Sequence, residues 1–299
     1  MTRRFVPLFI VIAVLAACTP SPEPDTQSTP PNGEQVYPNW PALLNNFRFH
    51  WTAAPKLDLT SGPGVAVRAY VESYEIANMT FDIDNVYPGF LRATPENQPA
   101  TGNYTTELAD IRPLWVYARS EPPEGVEHFG FNANHLLELA PLDDGYSAIV
   151  CTGWYSNFIK SAARPDAYIS VSSREATDGV APQSTGPGSG VSVRRIDFTQ
   201  HDPRVPTNAP TPVTNPQRGP APAPQIDVFG NWFVSASSSS GWGPLSGPNA
   251  KDFPTPDLVQ RCSDAMPDNE SQRVEMMTGY KEQPPPHGDA VPGWPQKAE

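Results

Sequence analysis

The stretch HLLELAPLDDGYSAIVCTGWYSNF, residues 135–158, places two apolar runs on either side of Asp143-Asp144-Gly145. Asp-Gly between such runs marks a tight hairpin, because glycine accepts the positive φ that the turn demands. In the second run Tyr146, Ala148, Val150 and Trp154 face one way, and Ile149, Cys151 and Tyr155 the other. Neither set is charged, so this strand is expected to be buried on both faces. Pro141 has no N–H for a ladder, which puts the first strand at an edge or beside a bulge.

Working outward, Ala42–Phe47 reads as a short helix and Phe47–Trp51 alternates like a strand. After the breaker Gly62-Pro63-Gly64, Val67, Tyr70, Val71 and Tyr74 recur at helical spacing, which predicts a helix over 66–77 with that face buried. Arg68 and Glu72 then fall on its outer face, four apart, as a surface pair. Residues 82–103 read as a loop around Tyr87-Pro88-Gly89-Phe90. Leu114–Ala118, Ala167–Val171 and Val191–Phe198 read as strands, with a polar loop over 178–190. Thr255-Pro256-Asp257 starts a helix, with Thr255 as N-cap and Pro256 at its first position, and that helix carries Cys262. Residues 270–280 suggest a last helix. Together these elements give an α+β fold class, an antiparallel sheet with packed helices, long Pro-rich loops and a disordered N-terminal tether.

The start of the chain carries the most specific signal. Arg3 and Arg4 precede an apolar run from Phe5 to Leu15, closed by Leu15-Ala16-Ala17-Cys18. The run is shorter than the ~18–20 residues a spanning helix needs, so residues 1–17 read as an export signal. The last four residues match a bacterial lipobox, in which the thiol of Cys18 is diacylglycerated and the chain is cut just before it. This predicts an extracytoplasmic lipoprotein anchored to the cell membrane through Cys18 and further acylated, as by palmitate; the alternative is an ordinary signal peptide of a secreted protein that happens to hold a cysteine. Two or more acyl chains make such anchoring effectively stable. With Cys18 taken by lipid, Cys151 and Cys262 remain; outside the cytoplasm they are expected to form a disulfide bond, the alternative being two buried free thiols.

Proline accounts for 38 of the 299 residues, and its distribution sets the domain organisation. Residues 18–36 are dense in Pro, Ser and Thr and read as a tether, extended at ~3.1 Å per residue where polyproline-like. Residues 37–281 form a single α+β domain, interrupted by a Pro-rich excursion at about 203–224 that reads as too polar to pack. Residues 282–299 read as a flexible tail. The formal net charge of −12 becomes −14 once Arg3 and Arg4 are removed with the signal. So acidic a chain argues against nucleic acid as a partner.

No HExxH, G-x-S-x-G, S-x-x-K or P-loop occurs, and the five histidines show no metal-ligand spacing, so no catalytic residue, metal or cofactor is assigned. Gly186–Gly190 lacks the helix start that would receive a phosphate. Asp82, Asp84 and Asn85 lack the later ligands of a calcium loop. The aromatic residues are the one suggestive population: Trp51, Tyr70, Tyr74, Trp115 and Trp154 would line a ligand pocket if a helix lay across a curved sheet.

The lipobox, Phe47-Arg48-Phe49, the run Val67–Tyr74, Val86–Phe90 and Asp144–Cys151 together resemble a group of mycobacterial-type actinobacterial cell-envelope lipoproteins, over roughly residues 37–280. The resemblance implies a location in an envelope with an outer mycolate layer and carries over no functional residue. Three functions stand as expectations. The first is non-enzymatic partner binding or envelope organisation, with an envelope protein as partner. The second is carriage of a small apolar or lipid ligand in the aromatic pocket. The third is a hydrolase of unrecognised type.

Overall fold

The computed structural model describes residues 37–96, 105–117, 121–174, 183–184, 190–204, 213–244 and 248–296. The leader, Cys18 and the tether lie outside the described residues, as do 205–212 and most of the 178–190 loop. Strand β1 spans Phe47–Ala53 and helix α1 Pro63–Thr80, followed by one-turn helices α2 (Phe90–Ala93) and α3 (Thr106–Ala109). The expected hairpin is formed by β2 (Phe129–Leu142) and β3 (Gly145–Gly153), but its two-residue turn is Asp143-Asp144. Gly145 pairs with Leu142 as the first residue of β3, without the positive φ expected of it; a Cβ there would clash with the Phe198 carbonyl oxygen. Flanking residues of such a turn exchange hydrogen bonds, so the next pair, Pro141 and Tyr146, does not. The nitrogen of Pro141 therefore faces outward, along a part of β2 that has no partner there because β1 ends opposite Leu136. A bulge lies between Leu136 and Glu138.

Strands β4 (Asn157–Lys160) and β5 (Tyr168–Ser170) continue the chain. β4 pairs with Phe129 and Gly130, resuming the β3 ladder after an irregularity at Trp154–Ser156. The small β6–β7 pair (Ser173–Arg174 with Gln183–Ser184) stands apart. β8 (Val191–Thr199) and β9 (Phe233–Ser238) complete the main sheet in the order β5-β4-β2-β3-β8-β9. All of these pairings are antiparallel; β1 adds a seventh strand, parallel to β2. The architecture is α+β.

Both faces of the sheet are covered, as the uncharged β3 predicts. Leu136, Ala148, Val150, Ile196 and Phe198 face α1 within the larger core. Ala133, Ile149, Cys151 and Val193 face the other way, onto Tyr155, Cys262, Met266 and Met277. The second layer comes from α4 (Pro256–Ala265) and α5 (Glu270–Met277). Thr255 caps α4 by accepting from the Leu258 N–H, and Asn269 and Gln272 form a capping box on α5. Cys151 on β3 and Cys262 on α4 are bridged, which ties this layer to the sheet. The bridge closes a loop with a sequence separation of 111, worth about 4–5 kcal/mol in the chain-entropy treatment. Replacing both cysteines by serine is expected to lower urea-unfolding stability by about that amount; an unchanged midpoint would show that the bridge contributes nothing.

Helix α1 is longer than the periodicity suggests. The expected breaker is its start: Gly62, at φ +59°, turns the chain, and Pro63 occupies the first helical position, where no N–H is needed. The helix ends at Phe81 in the left-handed region. It is buried around nearly its whole circumference, because its back is covered by segments expected to be loose. In the Pro-rich excursion Gln217, Ala221 and Ala223 are buried, and in the supposed tail Trp294 is 1 % exposed. The Gly219 N–H donates to the Gly293 carbonyl, and Ala221 and Trp294 exchange backbone bonds. Val291 bonds both ways along β1, to Phe49 and Trp51, and so closes that edge of the sheet. The described residues all belong to one unit, Val36–Glu299.

Two further expectations are corrected. Leu114–Tyr117 is a turn of 3-10 helix, with Pro113 opening it and Trp115 docked onto Asn78 and Phe81 at the end of α1. The loop at 82–96 is partly helical, and it buries Tyr87 and Phe90.

Candidate functional site

The polar chemistry of the fold is concentrated on α1, the helix that looked like plain core. Arg68, Glu72 and Glu75, spaced by four and three, lie on one buried stripe with Met79. Arg68 and Glu72, expected on the surface, are 0 % and 1 % exposed. Glu72 accepts hydrogen bonds from Trp51 Nε1 at 2.8 Å, Tyr87 Oη at 2.7 Å and Trp294 Nε1 at 2.8 Å. Arg68 Nε stands 3.7 Å from its carboxylate. The rest of the guanidinium donates to the carbonyls of Leu59, Gln217 and Pro292, and its plane lies 4.0 Å from the centroid of the Trp294 ring. Burial pushes the Glu72 carboxyl upward, opposed by Arg68 and by the three donors. This centre joins β1, α1, the Tyr87 turn, the excursion and the C-terminal segment, which makes it a clamp.

A second cluster sits toward β8 and β9. Arg194 donates to Asp110 at 3.0 Å and to Ser237 Oγ at 2.9 Å, and its guanidinium lies 4.0 Å from the centroid of the Tyr74 ring. Tyr74 donates to the other oxygen of Asp110. Burial works against the charge of Arg194, but Tyr74, Asp110, Tyr70 and Glu75 together hold it protonated. Burial raises the phenols of Tyr70 and Tyr74.

Glu75 is less well served. It is buried, and its Oε2 has no hydrogen bond among the described residues. Burial pushes its carboxyl up to about 8, Arg194 pulling it down and Asp110 pushing it further up. On β2, Asn132 and Asn134 are 0 % and 2 % exposed, and both atoms of each amide are unpartnered among the described residues. The register places them opposite the stripe. Asn134 pairs with Trp51, which bonds Glu72; Asn157, which contacts Met79 Sδ at 3.4 Å, pairs with Gly130, two residues before Asn132. Glu75 lies between Glu72 and Met79 on α1. Leaving a buried polar group unpaired costs about 1–3 kcal/mol.

The five expected pocket aromatics do not meet in one place. Trp51, Tyr70 and Tyr74 are core, and their polar ends are held by Glu72, the Ile111 carbonyl and Asp110. Trp115 lies at the end of α1, and Trp154 donates to Ser192 Oγ where β3 gives way to β4. The space under α1 is filled by charged and amide groups in place of an aromatic lining. His128 and His135 are separately engaged, with Asn157 and Thr52. No group of three or more His, Cys, Asp or Glu side chains placed to hold a metal occurs among the described residues.

Helical spacing alone did not reveal this layer, although one sign was present. In the helix PGVAVRAYVESYEIANMT the only charges are Arg68, Glu72 and Glu75, all on one stripe of an otherwise apolar or small-residue surface. Asn132, Asn134 and Arg194 gave no comparable signal. No family model, curated protein or solved structure matches the chain.

Proposed function

We propose that the protein is a lipid-anchored component of the cell envelope that acts by binding a partner and not by catalysis. The observation that carries this reading is Leu15-Ala16-Ala17-Cys18 at the end of a basic and then apolar leader. The Pro-, Ser- and Thr-rich stretch after it supports the same reading, since its composition suits a spacer that holds a folded domain away from the bilayer. The resemblance to mycobacterial-type envelope lipoproteins agrees with the same location. Metabolic labelling with a palmitate analogue, followed by fractionation, tests the anchor. Wild-type protein is expected in the membrane fraction carrying label, and Cys18→Ala is expected to lose both label and membrane. Retention of Cys18→Ala on the membrane would overturn the reading.

One observation favours a second reading, in which the domain carries a small ligand. The Oε2 atom of Glu75 on α1 and the amides of Asn132 and Asn134 on β2, unpartnered among the described residues, offer polar binding groups in place of the aromatic lining first expected.

A further inference from the structure

The Pro-rich excursion and the C-terminal segment, which cover the back of α1, also line a cleft of about 290 Å³. Its walls include the rings of Pro216, Pro220, Pro224 and Pro295, with Ile226 and Arg218. These walls are fixed by bonds within the fold. The Gln217 N–H donates to the Thr60 carbonyl at 2.7 Å, the Gln217 carbonyl accepts from Arg68 at 3.0 Å, and Asn39 Nδ2 donates to the Pro224 carbonyl at 2.9 Å. With Gly219 and Ala221 paired onto Gly293 and Trp294, the cleft is held by the same clamp that closes the core. A preformed cleft costs a ligand little ordering.

The lining sorts ligands by their chemistry. Arg218 is its only charged residue, and among the described residues its guanidinium has no carboxylate, carbonyl or ring partner. That sets it apart from Arg92, Arg194, Arg195 and Arg204, each paired with a carboxylate in a chain of formal net charge −12. Proline has no N–H to offer, and the amides of Gln217 and Gln225 already donate to the carbonyls of Asn215 and Gln296. Arg218 is therefore the chief donor of the cleft. A cation would be repelled by it, and a polyol would meet mostly ring carbons. A dianion such as a phosphate monoester would bring a second charge with nothing to match it. A carboxylate takes two parallel bonds from a guanidinium fork, and an apolar body behind it covers the proline rings. We propose that this cleft is a binding site for a small monocarboxylate with an apolar body, its carboxylate on Arg218 and its hydrocarbon part against the prolines and Ile226. The volume lies at the lower end of the range for ligand sites, which limits the ligand to a small molecule. The site shares no residue with the lipid anchor or with Glu75, Asn132 and Asn134, and stands or falls without them.

The test is a ligand-observed NMR titration of the full-length chain in a non-ionic detergent, with detergent alone as the blank. The probes are benzoate and hexanoate, their neutral counterparts benzyl alcohol and hexanol, and inorganic phosphate. At least one carboxylate is expected to bind saturably, and about tenfold or more tightly than its alcohol. Arg218→Gln is expected to lower that affinity by about the same factor while its thermal midpoint stays level, because the guanidinium it removes has no partner in the fold. Arg174→Gln makes the same change of charge at an exposed arginine of β6 that does not line the cleft, and is expected to bind as the wild type does. The site is overturned if no carboxylate binds saturably, if an alcohol binds as tightly as its carboxylate, or if phosphate binds in preference to both carboxylates. Retention of binding in Arg218→Gln, or an equal loss in Arg174→Gln, would also overturn it, the latter by reducing the effect to net charge. A lowered midpoint in Arg218→Gln would show that the fold already uses this guanidinium and leaves none for a ligand.

Discussion

Glu72→Ala is expected to cost the domain about 3–5 kcal/mol, the usual result of breaking a buried ion pair from one side. Arg68 would keep its carbonyl contacts and its Trp294 ring but lose the only carboxylate at its side. Trp51 Nε1 and Trp294 Nε1 would lose their acceptor, adding about 1–3 kcal/mol for each donor left buried. The sum approaches the roughly 5–15 kcal/mol by which domains are stable at all, so the variant should be unfolded or close to it at 37 °C. The double variant Arg68→Met/Glu72→Leu removes both charges and is expected to be more stable than Glu72→Ala, because no uncompensated guanidinium remains. Urea unfolding of the three proteins decides this. A loss below about 1 kcal/mol in Glu72→Ala would show that the clamp does not hold the fold together.

Glu75 makes stability depend on pH in the opposite sense from an ordinary surface carboxylate. Its carboxyl titrates near 4.5 when exposed and at about 8 in the folded protein. Between those values the folded state holds a proton that the unfolded state has released, so stability falls as pH rises through that window. The contribution is fully present below the unfolded value and is gone above the folded one. At 1.36 kcal/mol per unit, the whole window amounts to on the order of 5 kcal/mol. Glu75→Gln cannot ionise and is expected to remove this dependence, leaving the variant a few kcal/mol more stable than wild type at pH 8 and close to it at pH 4.5. Unfolding curves across pH check the prediction. Parallel pH profiles for the two proteins would mean that Glu75 is solvated in the folded state.

These two residues also show where the sequence was legible. The β2–β3 hairpin, β8 and the start of α4 were readable because their signals are local: a short polar break between two apolar runs, alternation along a strand, Thr-Pro at a helix start. The bridge between Cys151 and Cys262 followed from counting cysteines in a chain read as exported. The surface reading of Arg68 and Glu72 failed because the groups that make their burial tolerable are far away in the chain. Trp294 stands 222 residues from Glu72, and nothing in either neighbourhood announces the other. The Pro-rich excursion and the C-terminal segment were misread for a related reason. Proline and small polar residues form no amphipathic pattern, yet Ala221, Ala223 and Trp294 need only an irregular backbone to reach the core. The aromatic pocket failed because ring-rich segments were counted without regard to their hydroxyl and indole groups, which find partners inside the protein.

The contact between Trp294 and Glu72 also constrains the order of events when the chain is made. Trp294 emerges 222 residues after Glu72, yet its segment supplies a buried ring, an indole donor and the backbone pairing that seals β1, a strand that precedes α1 in the chain. Until that segment arrives, Arg68 and Glu72 lack one wall of their enclosure and β1 offers an open edge. A growing chain can assemble hairpins and short helices, but the helix–sheet core closes only once this distant segment has been made. Completion is then a single late step, and a chain truncated ahead of Trp294 is expected to stay soft and open to proteases.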